Sequence, residues 1–178
     1  MTSTVPVPHH LVLVGMMGTG KSTMGRRAAM HLGRPFVDSD DEIVARQGRS
    51  VADIFATDGE PAFREIEATV MTDLLQSSTP SIIAAAGGSI LREQTREQLR
   101  QRAVVVWLKA SVDVLLERTS RGTHRPSLAN DPKGTLHKME HDRSALYAEI
   151  ADVVVDSSQT KEAVVAAIVE AGLEVAIQ

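Results

Sequence analysis

The sequence predicts an α/β fold, in which a five-stranded parallel sheet is flanked by helices on both faces. Five short runs of apolar, largely β-branched residues recur along the chain, and stretches with a helical apolar period lie between them. The runs are continuously apolar rather than alternating, which is typical of parallel strands buried on both faces. The chain has 178 residues, a length that suits one domain with a sizeable core. We therefore expect a single domain over residues 1–178.

The boundaries of the elements follow from the same pattern. The segment 121–134 interrupts the alternation, because glycines and prolines stand there among polar residues without an apolar period. Loops of this length in compact domains are often active-site lids, so we expect a mobile lid. The expected strands are 11–14, 36–37, 82–85, 104–108 and 153–155. The expected helices are 22–32, 41–48, 60–75, 112–118, 136–150 and 162–171.

Composition and charge argue against several classes of protein. The formal net charge is −4 and the 19 basic residues are scattered, so we expect neither a nucleic-acid partner nor a membrane surface. The chain has no cysteine, which excludes a disulfide framework, a thiolate zinc site and a cysteine nucleophile. We expect no targeting segment, and no run approaches the ~18 apolar residues of a membrane span. We expect a cytoplasmic monomer.

The clearest motif is Gly15 to Ser22, which matches G-x-x-x-x-G-K-[ST] directly after a predicted strand and before a predicted helix. Glycines let backbone N–H groups turn toward phosphate oxygens, and the positive end of the following helix attracts the same anions. We expect Lys21 to contact the β- and γ-phosphates of a nucleoside triphosphate, and Ser22 to bind Mg²⁺. The predicted nucleotide-binding residues of this loop are Gly18, Thr19, Gly20, Lys21, Ser22 and Thr23.

Two acidic residues, Asp38 and Asp40, follow the second predicted strand. Such a cluster is typical of a helix N-cap and first turn. In a parallel sheet the same strand end also faces the ligand crevice. Asp38 could then hold Mg²⁺ through its water ligands, and Asp40 could bind an acceptor hydroxyl and assist removal of its proton. The two interpretations are compatible, and both stay open at this point.

The third predicted strand ends at a glycine pair, Gly87-Gly88, which indicates either a close approach of the backbone to a ligand or a tight turn. Three arginines are candidates for anion binding, although a single arginine is most often a solvated charge. Arg64 could equally pair with Glu60 or Glu67 on its own helix. The three candidates are Arg64, Arg125 and Arg143.

Six separated motifs between Gly15 and Asp156 carry a family resemblance. They are the P-loop, Asp38-Ser39-Asp40, Gly59 to Glu67, Gly87-Gly88, Arg125-Pro126 and Arg143 to Tyr147. In this order and approximate spacing they resemble the shikimate kinases, a likeness far more specific than a P-loop alone. The resemblance implies a P-loop, nucleoside-monophosphate-kinase-like three-layer fold with a mobile lid. It also implies the reaction of ATP with shikimate to give ADP and 3-phosphoshikimate.

The resemblance further implies roles for single residues. Asp40 would contact the shikimate hydroxyls and act as base or orienting group for the 3-hydroxyl. Arg64 and Arg143 would bind the shikimate carboxylate, for which guanidinium groups are suited. Gly87 and Gly88 would supply backbone contacts to the substrate.

Three further residues take supporting roles by the same resemblance. Arg125 would move with the lid and bridge the nucleotide phosphates and the acceptor, where it would neutralise charge during transfer. Arg118 would pack on the adenine, and Glu67 would hold Arg64 in place. The implied catalytic residues are thus Lys21, Asp40 and Arg125.

Two positions depart from the family pattern. The usual glycine triplet is Ala86-Gly87-Gly88 here, so we assign no site role to Ala86. The usual proline in Arg-x-Pro-Leu-Tyr is Ala145, a change that we expect to affect helix geometry more than chemistry.

Three other functions are compatible with parts of the sequence. A kinase for another small polyol or acid, such as gluconate, shares the fold and the P-loop but does not predict the combination of Asp40 with Arg64 and Arg143. A non-catalytic nucleotide-binding regulator requires only the P-loop. The segment 137–141 fits H-x-x-E-H, an inverted zinc-peptidase motif, but is more typical of an exposed charged helix.

Overall fold

The computed structural model describes residues 9–120 and 130–174. Its strands are β1 His10–Val14, β2 Phe36–Asp38, β3 Ile82–Ala84, β4 Ala103–Lys109 and β5 Val153–Asp156. All pair in parallel in a single sheet of order β2-β3-β1-β4-β5. The predicted five-stranded parallel sheet is therefore confirmed.

Helices connect the strands on both faces of the sheet. Those in the described ranges are α1 Lys21–Leu32, α2 Ser39–Gln47, α3 Val51–Gln76, α4 Glu93–Arg102, α5 Val112–Ser120, α6 Pro132–Ile150 and α7 Lys161–Glu174. A short 3₁₀ helix, Ser89–Leu91, lies between β3 and α4.

The central strand divides the core into two layers. Leu11 and Leu13 of β1 pack with α1 and α7, whereas Val12 and Val14 pack on the opposite face with α3, α4, α5 and α6. All four side chains are almost completely buried. Successive side chains of a strand point to opposite faces, so a strand buried on both sides must be apolar throughout. This confirms the three-layer arrangement.

Most elements lie within a few residues of the prediction, and three helices differ more than that. Helix α4 was not predicted, because only Thr95 and Leu99 of its ten residues are buried and the rest lack an apolar period. Helix α3 begins at Val51 rather than at residue 60, and it is kinked at Gly59, whose φ is 83° and ψ is 169°. Helix α6 begins at Pro132, so the last three residues of the predicted lid are helical.

Of the rest of the predicted lid, residues 121–129 lie outside the described residues. None of the helices in the described ranges is long and apolar enough to cross a membrane.

The functional motifs meet at one edge of the sheet. Strands β2, β3 and β1 are neighbours and run in the same direction, so their carboxyl ends at Asp38, Ala84 and Val14 lie side by side. In open parallel sheets this edge forms the ligand crevice.

Candidate active site

The phosphate loop leaves β1 with backbone angles that require glycine. Gly15 has φ 140°, and a Cβ built there would lie only 2.4 Å from the carbonyl oxygen of Leu108. Gly20 has φ 89° and stands at the N-cap of α1. Lys21 Nζ donates to the carbonyl oxygens of Gly15 and Met16, at 2.8 and 3.0 Å. The loop therefore closes around its own lysine at the positive end of α1.

Thr19 and Thr23 differ in their surroundings. Thr19 is buried, and its hydroxyl donates to the carbonyl oxygen of Met16 at 2.8 Å. This hydrogen bond within the loop stabilises its conformation. Thr23 is exposed on the first turn of α1. Gly18, with φ 83°, lies on the side of the loop that faces α5.

Asp38 joins two elements of the site. Ser22 Oγ donates to Asp38 Oδ2 at 2.5 Å. Asp38 Oδ1 accepts from the backbone N–H of Asp40 at 3.0 Å, which makes Asp38 the N-cap of α2. The N-cap interpretation is therefore confirmed. The same carboxylate also presents an oxygen beside the Ser22 hydroxyl, and paired oxygen ligands of this kind fit Mg²⁺.

Arg64 makes the two ion pairs that its helix position allows. Its Nη1 donates to Glu67 Oε2 at 2.9 Å, and its Nη2 donates to Glu60 Oε1 at 3.0 Å. The Glu67 side chain is only 3% exposed and that of Arg64 only 19%. The guanidinium group also lies 5.4 and 5.9 Å from the ring centroids of Phe63 and Phe55. These contacts fix the arginine in one orientation at the edge of the crevice.

Both acceptor-side arginines converge on the glycine pair. Arg143 Nη1 donates to the carbonyl oxygen of Gly87 at 3.1 Å. At the next residue, a Cβ built at Gly88 would lie 2.0 Å from Arg64 Nη1. Arg64 and Arg143 therefore reach the same turn from α3 and α6, although 79 positions separate them in the sequence.

The pKa of Glu67 depends on the charges of Arg64, Asp40 and Arg143. Burial raises the pKa of its carboxyl, and the charge and hydrogen bond of Arg64 oppose that shift. Asp40 raises the same pKa further, whereas Arg143 lowers it. The half-buried Asp40 therefore lies within electrostatic range of Glu67.

Arg64 keeps its charge in this setting. Burial alone would lower its pKa, but the attraction and hydrogen bonds of Glu67 and Glu60 outweigh burial and raise the pKa. A buried, permanently charged guanidinium is suited to an anionic group.

Arg118 lies beside the phosphate loop rather than beside these arginines. Its Nη2 donates to the carbonyl oxygen of Ser157 at 2.7 Å, and its Nη1 to that of Gly18 at 3.3 Å. Arg125, the other arginine expected on the nucleotide side, lies outside the described residues.

Comparison with known proteins identifies the family of this chain. A family model described as shikimate kinase matches residues 17–172. The chain belongs to the shikimate kinase family.

Relatives in the family support this assignment. A shikimate kinase of Bordetella avium is 47% identical over 154 residues, which cover 85% of this chain and 73% of the relative. One from Rhodopseudomonas palustris is 45% identical over 148 residues, covering 83% of this chain and 72% of the relative. The solved shikimate kinase from Acinetobacter baumannii in complex with shikimate superposes with a TM-score of 0.83 at 34% identity, covering 96% of this chain and 92% of that one.

For this shikimate kinase family member, the zinc-peptidase interpretation gains no support. Within residues 9–120 and 130–174 no group of three or more histidine, aspartate or glutamate side chains could hold a metal ion, and the segment 137–141 lies in that range. The segment is part of α6, as its charged pattern suggested.

The sequence analysis assigned no role to several buried polar residues of the site. Ser39 and Ser89 contact the backbone of the turn at 86–88, as does Tyr147, and Ser157 holds Arg118. Apart from Ser89, each has its partner about 40 to 60 positions away in the chain. A local pattern cannot reveal such pairs.

Proposed function

We propose that this chain transfers the γ-phosphate of ATP to the 3-hydroxyl of shikimate, giving ADP and 3-phosphoshikimate. The observation that carries the proposal is that the turn at Gly87-Gly88 lies close both to the phosphate loop and to the two arginines. A Cβ built at Gly87 would lie 3.3 Å from the Gly15 carbonyl oxygen and 3.5 Å from Arg143 Nη1. A phosphate donor and a small carboxylate acceptor bound at these two places would be adjacent, as direct transfer requires.

On the donor side, Lys21 contacts the β- and γ-phosphates, and the backbone of Gly18 to Ser22 surrounds them. Ser22 and Asp38 are the residues that would hold Mg²⁺, Ser22 directly and Asp38 through water. The 2.5 Å contact between their oxygens supports this pairing. Bound Mg²⁺ would reduce the negative charge of the phosphates.

On the acceptor side, Arg64 and Arg143 bind the shikimate carboxylate. Glu60 and Glu67 offset part of the charge of Arg64 and hold it in place, so Arg64 contributes oriented hydrogen bonds to a bound carboxylate and Arg143 contributes charge attraction as well. The backbone of Gly87 and Gly88 contacts the ring substituents.

Asp40 orients the 3-hydroxyl and accepts its proton as the oxygen attacks the γ-phosphorus. The transfer is in line and direct, so it needs no phosphoenzyme; the protein contributes positioning and charge stabilisation. The influence of Asp40 on the pKa of Glu67 supports its place beside the arginines.

The remaining proposed roles concern binding of the nucleotide. Arg118 packs on the adenine, and its hydrogen bonds to Gly18 and Ser157 support a position at that end of the phosphate loop. Arg125, which lies outside the described residues, would bridge the phosphates and the acceptor, as the family resemblance implies. Monomeric state and cytoplasmic location stay predictions.

A coupled assay of ADP release, run with ATP and Mg²⁺ over shikimate, quinate and gluconate, tests the proposal. We expect turnover with shikimate well above the rate without acceptor, and a product whose phosphorus couples to the proton at carbon 3 in NMR. Faster turnover with gluconate than with shikimate would mean that gluconate, and not shikimate, is the acceptor. Absence of turnover with every acceptor, despite ATP binding, would favour a nucleotide-binding regulator.

A further inference from the structure

Buried hydroxyl groups from three elements hold the turn at 86–88. Ser39 Oγ, at the start of α2, accepts from the backbone N–H of Ala86 at 2.9 Å. Tyr147 OH, on α6, donates to the carbonyl oxygen of Gly87 at 2.8 Å. Ser89 Oγ donates to the carbonyl oxygen of Ala86 at 2.7 Å. These side chains belong to residues that are 0%, 1% and 3% exposed.

We propose that Ser39 and Tyr147 are positioning residues for the acceptor. Ser39 binds the N–H of Ala86 and Tyr147 binds the carbonyl oxygen of Gly87. Together these bonds fix the turn and thereby set the distance between Arg143 and the phosphate loop. This inference rests on the proposed function, because the acceptor is taken to bind at that turn.

Tyr147 acts through the Gly87 carbonyl. That oxygen accepts from both Tyr147 OH and Arg143 Nη1, so its two lone pairs are both used. The tyrosine ring is fixed by a stacked contact with Trp107 of β4, with centroids 5.5 Å apart. Burial raises the pKa of Tyr147 to about 12, so the hydroxyl remains a donor at neutral pH. The position of the carbonyl, and with it that of Arg143, is therefore tied to the sheet.

Ser39 acts from the other side of the crevice. It lies between Asp38, which accepts from Ser22, and Asp40. Its bond to the Ala86 N–H joins the corner between β2 and α2 to the end of β3. Without it, the corner that carries Asp40 could shift relative to the arginines, and a shift of about 1 Å is enough to reduce catalysis strongly.

The variants Tyr147→Phe and Ser39→Ala each remove one hydroxyl and leave the rest of the residue in place. For Tyr147→Phe we expect KM and Kd for shikimate to rise about five- to tenfold, as loss of one buried hydrogen bond allows, with KM for ATP changed less than about twofold. For Ser39→Ala we expect kcat/KM for shikimate to fall about tenfold, mainly in kcat, because Asp40 moves with the corner. Calorimetric Kd values make the binding part independent of turnover.

Ser81→Ala is the matched control. Ser81 is also buried, and its hydroxyl donates to the carbonyl oxygen of Thr79 at 3.0 Å, at the opposite end of β3. Thermal unfolding of the variants measures any general loss of stability. We expect Ser81→Ala to lower the midpoint without changing the shikimate constants.

A double-mutant cycle separates positioning from stability. If Tyr147 acts through Gly87 and Arg143, then Tyr147→Phe should change Kd for shikimate less than about twofold in an Arg143→Ala background. An undiminished effect there, or shikimate constants in Tyr147→Phe and Ser39→Ala that match those of Ser81→Ala, would overturn the inference while leaving the kinase function intact. A parent chain that neither binds nor phosphorylates shikimate would overturn both.

Discussion

Replacing Gly88 by alanine should disable the acceptor site through a steric effect on one side chain. The backbone at Gly88, with φ −95° and ψ −10°, is ordinary for any residue, so alanine brings no strain of its own. The new methyl carbon would instead lie 2.0, 2.7 and 2.9 Å from Arg64 Nη1, Cζ and Nη2. The guanidinium must move until these separations reach at least the 3.4 Å of ordinary contact.

The size of the effect follows from what Arg64 contacts. Moving Nη1 by more than an ångström breaks its 2.9 Å bond to Glu67, since hydrogen bonds weaken quickly beyond about 3.2 Å. A hydrogen bond to a charged group contributes about 1.5–3 kcal/mol. If the displaced arginine also loses a comparable contact with the acceptor, KM for shikimate should rise roughly 10- to 100-fold, because each 1.4 kcal/mol is about tenfold. The free energy of unfolding should fall by about 1–3 kcal/mol, because Glu67 keeps a buried, unpaired oxygen.

Steady-state kinetics with each substrate varied in turn provide the measurement, together with urea unfolding. Gly48→Ala is the control, since Gly48 has φ 63° with nothing within 4 Å and caps the far end of α2. It should lose about 1 kcal/mol of stability from backbone strain but keep its KM for shikimate. An Arg64→Ala, Gly88→Ala double variant should resemble Arg64→Ala alone. Unchanged KM in Gly88→Ala, or full additivity in the double variant, would refute the steric coupling.

Three further predictions concern other parts of the molecule. Lys21→Met should lower kcat by roughly 10²–10³-fold or more, as removal of a transition-state charge does, and near-normal turnover would exclude its role at the phosphates. Arg143→Ala should raise KM for shikimate roughly 10- to 100-fold with little change for ATP, and an unchanged shikimate KM would remove it from the carboxylate site. His10 is held neutral between the Ser81 N–H and the Ser77 carbonyl oxygen, and burial lowers its pKa below 6.5. Its contribution to stability is therefore present above pH 6.5 and lost as pH falls through the folded pKa. In urea unfolding from pH 7.5 to 5.5, the free energy of unfolding should fall more steeply with pH than in His10→Gln, by at most about 1.4 kcal/mol per pH unit. Parallel curves for the two proteins would contradict this.

The sheet could be predicted because burial on both faces leaves a local signal. Val12 and Leu13 serve opposite core layers, so the strand is apolar at every position. Helix α4 left no such signal, because Leu99 is its one buried large side chain. The early start of α3 was hidden by Gly59, which breaks the helical dihedrals and kinks the helix between its two parts. Strand order was not predicted, since it depends on contacts between distant segments.

The site residues, like the fold, could be predicted only where they leave a local signal in the sequence. The phosphate loop is contiguous, so its glycines and Lys21 identify it without any tertiary information. The pairing of Arg64 with Glu60 and Glu67 was also accessible, because residues three and four apart share a helix face. The hydroxyl of Tyr147 was not, because its partner lies 60 positions away and a buried tyrosine resembles any other core aromatic.

The turn at 86–88 explains why one departure from the family's glycine triplet is compatible with this site. No described residue other than glycine has a positive φ, so Ala86 has a backbone that accepts a side chain. The demand for glycine then increases along the turn: a Cβ would meet the Gly15 carbonyl oxygen at 3.3 Å from Gly87, and Arg64 at 2.0 Å from Gly88. Glycine is therefore favoured at Gly87, where the turn approaches the phosphate loop, and more strongly at Gly88, where it approaches Arg64, but not at the position before them. If donor and acceptor bind as proposed, the distance between them depends on this pair of residues.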